Sequence, residues 1–113
     1  MPFTPQQIWY DRQRILELIL VVGKVRDHRE IYKLLVEAKK IKCSPKFRYD
    51  LREYVRFSIT EGFVHDDVEA LLSLGYLKES ASLKLTELGK KYLEEAGPSE
   101  DFEIFKQLKT KEY

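Results

Sequence analysis

The sequence predicts a mostly helical α+β domain that carries one small β-hairpin, and three observations predict it. Apolar residues recur at the spacing of a helix face in stretch after stretch, each opened by a capping residue and closed by glycine or a proline-containing break. The run from Leu74 to Leu93 reads as a helix end, two short alternating strands around a polar tip, and a freshly capped helix. Beyond Gly97-Pro98-Ser99 a last amphipathic stretch follows. The 113 residues suit a single modest core, divided here as 1–98 and an added helix and tail at 99–113, packed on the same domain or on a second copy.

The elements follow in order. Thr4 is placed to cap a first helix, with Pro5 at its first position and Gln7 to complete a capping box. Ile8, Ile15, Ile19 and Val22 mark its stripe, and Gly23 supplies the stop. Its last turns add Leu16, Leu18, Leu20 and Val21, apolar nearly all round, so this helix is central to the core or pairs with a second copy. Trp9 and Tyr10 near its start are core aromatics or dimer contacts, with the core favoured. A second helix starts at Asp27, where Asp27 and Glu30 form another capping box, and Ile31, Leu34, Leu35, Ala38 and Ile41 face inward. Cys43-Ser44-Pro45 breaks the pattern, and Phe47 to Phe57 mixes aromatic and cationic residues as a strand or a short helix.

Ser58 to Glu61 caps a third helix that runs to about Leu74, with Val64, Val68, Leu71 and Leu72 inward and Gly75 at its end. Tyr76-Leu77-Lys78 and Leu83-Lys84-Leu85 make the hairpin, joined by Glu79 to Ser82. Thr86 caps a helix to Glu95 with Leu88, Tyr92 and Leu93 inward. Phe102, Ile104, Phe105 and Leu108 form the apolar face of the last.

Composition excludes several classes. Hydrophobic residues make up 43% and charged residues 35%, as in an ordinary globule. The longest apolar run, Ile15 to Val22, is short and broken by Glu17, so no membrane partner is expected. The N-terminus lacks the marks of a secretion signal, and a lone Cys43 fits a reducing cytoplasm. Asparagine is absent while Lys and Glu dominate, a bias expected of a thermophile. The net charge of +1 hides a polarity. From Lys24 to Arg56, eleven cations face five anions, a surplus of six. From Phe57 onward, seven cations face twelve anions, a deficit of five.

Helix, helix, an extended piece, helix, hairpin and helix is the order of a winged helix-turn-helix domain with an extra C-terminal helix. The run Leu85-Thr86-Glu87-Leu88-Gly89-Lys90-Lys91-Tyr92-Leu93 resembles the closing segment of regulators of the MarR and PadR kinds. There the threonine caps, the glycine permits close packing and the aromatic anchors the helix. Across Arg26 to Glu95 the chain also resembles, at a distance, the YwgA-type proteins and the Panacea (SocA-like antitoxin) family. Phe57-Ser58-Ile59-Thr60-Glu61 stands where that family carries an aromatic pentad with glycine, proline and a second tyrosine, before Leu74-Gly75-Tyr76-Leu77. Only the aromatic is kept. The resemblance implies a winged-helix scaffold in toxin–antitoxin or regulatory settings.

In a winged-helix DNA reader the third helix brings cationic or amide side chains to base edges. Here it carries Glu61, Asp66, Asp67 and Glu69 and no cation, so base reading by this helix is not expected. Phosphate contact falls instead to Arg26, Arg29, Lys33, Lys39, Lys40, Lys42, Lys46, Arg48, Arg52 and Arg56, with Lys78 and Lys84 on the wing. The aromatic side chains among them are suited to stacking on bases. His65-Asp66-Asp67 offers three ligands in a row, but consecutive helical positions diverge, so no metal or other cofactor is expected. No catalytic motif is present, and the chain reads as a non-enzyme. The expected function is a small DNA-associated regulator that grips the backbone of duplex DNA as a homodimer. The alternative is an antitoxin-type adaptor that binds a protein partner without DNA.

Overall fold

The computed structural model describes residues 4–41 and 59–110. Among them are five helices and one antiparallel hairpin: α1 (Pro5–Val22), α2 (His28–Ile41), α3 (Ile59–Ser73), β1 (Leu77–Ser80), β2 (Ser82–Leu85), α4 (Glu87–Ala96) and α5 (Phe102–Thr110). This is a mostly helical α+β globule with its hairpin between the third and fourth helices. No helix among the described residues is long and apolar enough to cross a membrane. The segment from Lys42 to Ser58, with its aromatic residues, Cys43 and the Ser58 cap, lies outside the described residues.

α1 forms as its caps dictate. Thr4 Oγ accepts the Gln7 N–H at 3.1 Å, and the Gln7 side chain accepts the Thr4 N–H at 3.2 Å. Gly23, at φ +90°, closes the helix by donating its N–H to the Ile19 carbonyl. Ile15, Leu16, Leu18 and Ile19 are fully buried, because α1 touches α2, α3, α4, α5 and β2. Most apolar residues of its last turns therefore belong to one core. Ile104, Phe105 and Leu108 of α5 close over the same core. Leu20 is the exception within α1's last turns and remains exposed.

α2 departs from the expected cap in one detail. Asp27 Oδ1 accepts the N–H groups of Arg29 and Glu30, at 3.0 and 3.1 Å. The Glu30 carboxylate, however, reaches past Asp27 to the Arg26 N–H at 2.6 Å. The cause lies one residue earlier, where Val25 exchanges both backbone hydrogen bonds with Leu83, at 3.0 and 2.7 Å. That bridge fixes the chain before the bend at Arg26 and turns its amide toward the helix. No alternating pattern announces a strand at Val25, which widens the hairpin by one short edge.

The hairpin is tighter than its sequence suggests. Glu79, Ser80 and Ser82 belong to the ladder, whose register pairs Leu77 with Leu85, Lys78 with Lys84, Glu79 with Leu83 and Ser80 with Ser82. Ala81 alone forms the tip, at φ +69°. Leu77, Leu83 and Leu85 point into the core, and Lys78 and Lys84 point out.

α4 is capped by Thr86, whose Oγ accepts the Gly89 N–H at 3.0 Å and donates to the Gly75 carbonyl. The buried line of this helix runs through Gly89 and Leu93, with Tyr92 half-buried beside it. Leu88, expected inside, is 50% exposed. One helical step rotates it about 100° from Gly89, the residue that the backbone of Tyr76 holds against the core. Trp9, Tyr76 and Tyr92 form an aromatic cluster that ties the start of α1 to the hairpin and α4. Tyr76 stacks on Tyr92 at 5.1 Å between centroids, and Trp9 lies 5.6 Å from Tyr92.

A polar stripe on α1 holds the segment before α5. Tyr10, Gln13, Arg14 and Glu17 follow helical spacing and face residues 97–101. Gln13 Nε2 donates to the Gly97 carbonyl at 3.0 Å, and the Glu17 carboxylate accepts the N–H and O–H of Ser99. Arg14 pairs with Asp101 and lies over the Tyr10 ring, 3.4 Å from its centroid. Arg14, Glu17 and Asp101 are all at least 95% buried. The charge that interrupts the apolar run of α1 is thus the anchor of the C-terminal segment.

Candidate nucleic-acid interface

The outward positions of α2 collect the cations. Arg29, Lys33, Glu37 and Lys40 recur at spacings of four, four and three, and so form one stripe opposite Ile31, Leu35 and Ala38. Arg29, Lys33 and Lys40 are exposed, and Lys40 Nζ lies 3.4 Å from Glu37 Oε1 within that stripe. Lys39 is exposed on the flank, and Arg26 is exposed at the bend before the helix. Lys42, Lys46, Arg48, Arg52 and Arg56 lie outside the described residues.

The hairpin adds a second cationic group. Lys78 and Lys84 stand directly opposite each other in the register, both exposed. The antiparallel bridge of Val25 with Leu83 brings the backbone of Lys24 beside that of Lys84 on the outward face. Lys24, Lys84 and Lys78 therefore form a row across three strands, and Arg26 continues it toward α2. Lys24 was absent from the candidates read from sequence, because its place depends on the unheralded pairing of Val25.

Lys78 and Lys84 also line a groove of about 450 Å³ with Lys90 of α4, whose walls include Ile19, Leu20, Leu85 and Glu87. Lys90, likewise missed, lies 3.6 Å from Glu87 across one helical turn. Its position on the wall opposite the hairpin follows from the turn at Thr86, which the periodicity of α4 alone does not reveal.

The acidic third helix needs one correction. Asp66 and Glu69 are exposed, but Asp67 is turned inward, 2% exposed, and accepts from Arg12 Nε at 3.1 Å. Its carboxylate joins α3 to α1 and is withdrawn from the surface. His65 stays outside, with Nε2 3.4 Å from Glu69 Oε1 and Nδ1 3.7 Å from Asp66 Oδ1. The ring of His28 meets that of His65 edge-on at 5.0 Å, so the first turn of α2 rests on α3. Among the described residues, no group of three or more His, Cys, Asp or Glu side chains is arranged to hold a metal ion.

Taken together, exposed lysine and arginine side chains cover the outward face of α2 and the hairpin, and Asp66 and Glu69 are exposed on α3 around His65, beside the first turn of α2. Compared with family models, curated proteins and solved structures, the chain matches none.

Proposed function

We propose that this chain is a non-enzymatic winged-helix protein that binds the nucleic-acid backbone through its second helix and wing instead of its third helix. The observation that carries the reading is the row of Lys24, Lys84 and Lys78, continued by Arg26 to the Arg29–Lys33–Lys40 stripe. The order α1, Val25 edge, α2, α3 and hairpin supports the winged-helix scaffold. Like charges set directly across a hairpin are destabilising, which favours a role in binding an anion over a role in folding. Asp66 and Glu69, exposed on α3, would repel phosphates there. Lys42, Lys46, Arg48, Arg52 and Arg56 follow α2 directly and extend the same surplus of positive charge.

The test is binding to random-sequence duplex across a salt series. The logarithm of affinity should fall linearly with the logarithm of salt, by about 0.9 per phosphate engaged. Arg29→Glu with Lys33→Glu should flatten that slope by about two. Absence of binding at low salt removes this reading. A second reading then stands, a protein-binding adaptor, favoured by Leu74 and Leu88, 47% and 50% exposed and both beside Gly75.

A further inference from the structure

We propose that the crevice between the hairpin, α1 and α4 binds a single-chain amphiphilic carboxylate of the fatty-acid class. The proposal rests on the geometry of the crevice and not on nucleic-acid binding. Its first part is the groove lined by Lys78, Lys84 and Lys90, with Leu20, Ile19 and Leu85 among its walls. Leu20 and Lys90 also line a second groove of about 270 Å³ beside Leu93, Pro98 and Phe102, so the two adjoin along that pair of side chains. The first holds three lysines, and the second is mainly apolar through Leu20, Leu93, Pro98 and Phe102, with Lys90, Glu17 and Glu94 also among its walls. Together the two grooves approach the size of ordinary small-molecule sites.

Charge sets the orientation of the occupant. Lys78 and Lys84 oppose each other in the ladder, and a carboxylate between them and Lys90 relieves their repulsion. At the other end Glu94 and the buried Glu17 stand against a single lysine, Lys90, and disfavour the reverse orientation. Glu87, on the cationic groove, lies 3.6 Å from Lys90 and is 93% exposed, leaving the two hairpin lysines as the principal headgroup contacts.

The apolar end sets the chain. Leu20 is 42% exposed, although its neighbours Leu18 and Ile19 are fully buried, and it forms the side shared by both grooves. A peptide in the same place would bring amide groups that need partners. The Glu17 oxygens already accept from the N–H and O–H of Ser99. An alkyl chain carries no such requirement. A flat anionic membrane is also disfavoured, because Glu87 and Glu94 are exposed along α4 and line the crevice.

Titration calorimetry of the full chain with hexanoate, octanoate and decanoate, below their micelle concentrations and without nucleic acid, tests the proposal. Affinity should rise about fourfold per added methylene. Decanol, with the same chain and no charge, should bind at least tenfold more weakly. The exposed double variant Lys78→Gln with Lys84→Gln should lose the preference for decanoate over decanol and keep the chain-length dependence. Leu20→Gln should flatten the chain-length dependence. No binding of decanoate, or equal binding of decanoate and decanol to the unaltered protein, overturns the proposal, whatever the duplex titration shows.

Discussion

The backbone carbonyl of Tyr76 lies where the side chain of any residue but glycine at position 89 would begin. A β-carbon built on Gly89 falls well inside contact with that oxygen and 3.1 Å from Leu85 Cδ2. The carbonyl cannot swing away, because it accepts the Thr86 N–H at 3.1 Å. Gly89→Ala should therefore separate α4 from the hairpin and cost about 1–3 kcal/mol, as overpacking does. Gly97→Ala is the control. That residue, at φ +78° and ψ 162°, has nothing within 4 Å of a built β-carbon, so only backbone strain of about 1–3 kcal/mol applies. Denaturant unfolding should show both losses, but tyrosine fluorescence should report a disturbed Tyr76–Tyr92 stack in the Gly89 variant alone.

Thr86 joins the same corner from the other side. Its hydroxyl accepts from Gly89 and donates to Gly75, whose φ of +83° ends the turn after α3. Thr86→Ala removes both bonds and should cost about 1–2 kcal/mol. Thr86→Ser keeps the hydroxyl and should recover most of that loss in thermal unfolding. Equal destabilisation by the two variants would assign the effect to the methyl group and not to the cap.

The buried pair of Arg14 and Asp101 is expected to behave asymmetrically. Arg14→Ala strands the Asp101 carboxylate, 1% exposed, and should cost about 3–5 kcal/mol. Replacing both partners, Arg14→Met with Asp101→Leu, removes the stranded charge and should recover much of the loss. Tyr10, which donates to Asp101 at 3.4 Å and lies under Arg14, should become more mobile in the single variant. Denaturant titration of the three proteins checks the order.

Alkaline pH acts through Tyr92. Burial, with Tyr76 and Glu17 nearby, raises its pKa above 10.0. In the unfolded chain the phenol ionises first, so above its ordinary pKa the unfolded state holds fewer protons than the folded one. The stabilisation is complete below about pH 10 and is lost as pH rises through the folded pKa. Tyr92→Phe should therefore flatten the alkaline decline in stability and remove a late component from the phenolate absorbance of the folded protein.

Much of this fold was legible in local chemistry. Thr4, Gly23, Gly75, Thr86 and Gly97 act as caps and stops because each answers a demand of its own helix end. Leu88 misled because a stripe drawn through Leu88, Tyr92 and Leu93 ignores Gly89, and the buried side of α4 is set by how closely the Tyr76 backbone approaches. Glu17 and Asp67 were charges within apolar or acidic stretches, and their partners, Ser99 and Arg12, are 82 and 55 residues distant. Such pairings carry no local periodicity. The lysine row was half legible: Lys78 and Lys84 follow from alternation within the hairpin, but Lys24 joins them only through the long-range bridge at Val25.

That row leads to a prediction in which stability and binding move in opposite directions. Lys78 and Lys84 face each other at a ladder position where an opposite-charge pair contributes about 0.2–1 kcal/mol and a like-charge pair opposes folding. Lys78→Glu should therefore raise the unfolding midpoint slightly, more at low salt than at high salt. The same change should weaken duplex binding and lower the preference for decanoate over decanol, because both proposals set an anion against the positive charge there. Lys91→Glu, an exposed change on α4 away from both grooves, should leave the two binding measurements unaltered. A fall in stability on Lys78→Glu would mean that the lysines already contribute to folding, and the row would lose its standing as a surface held for an anion.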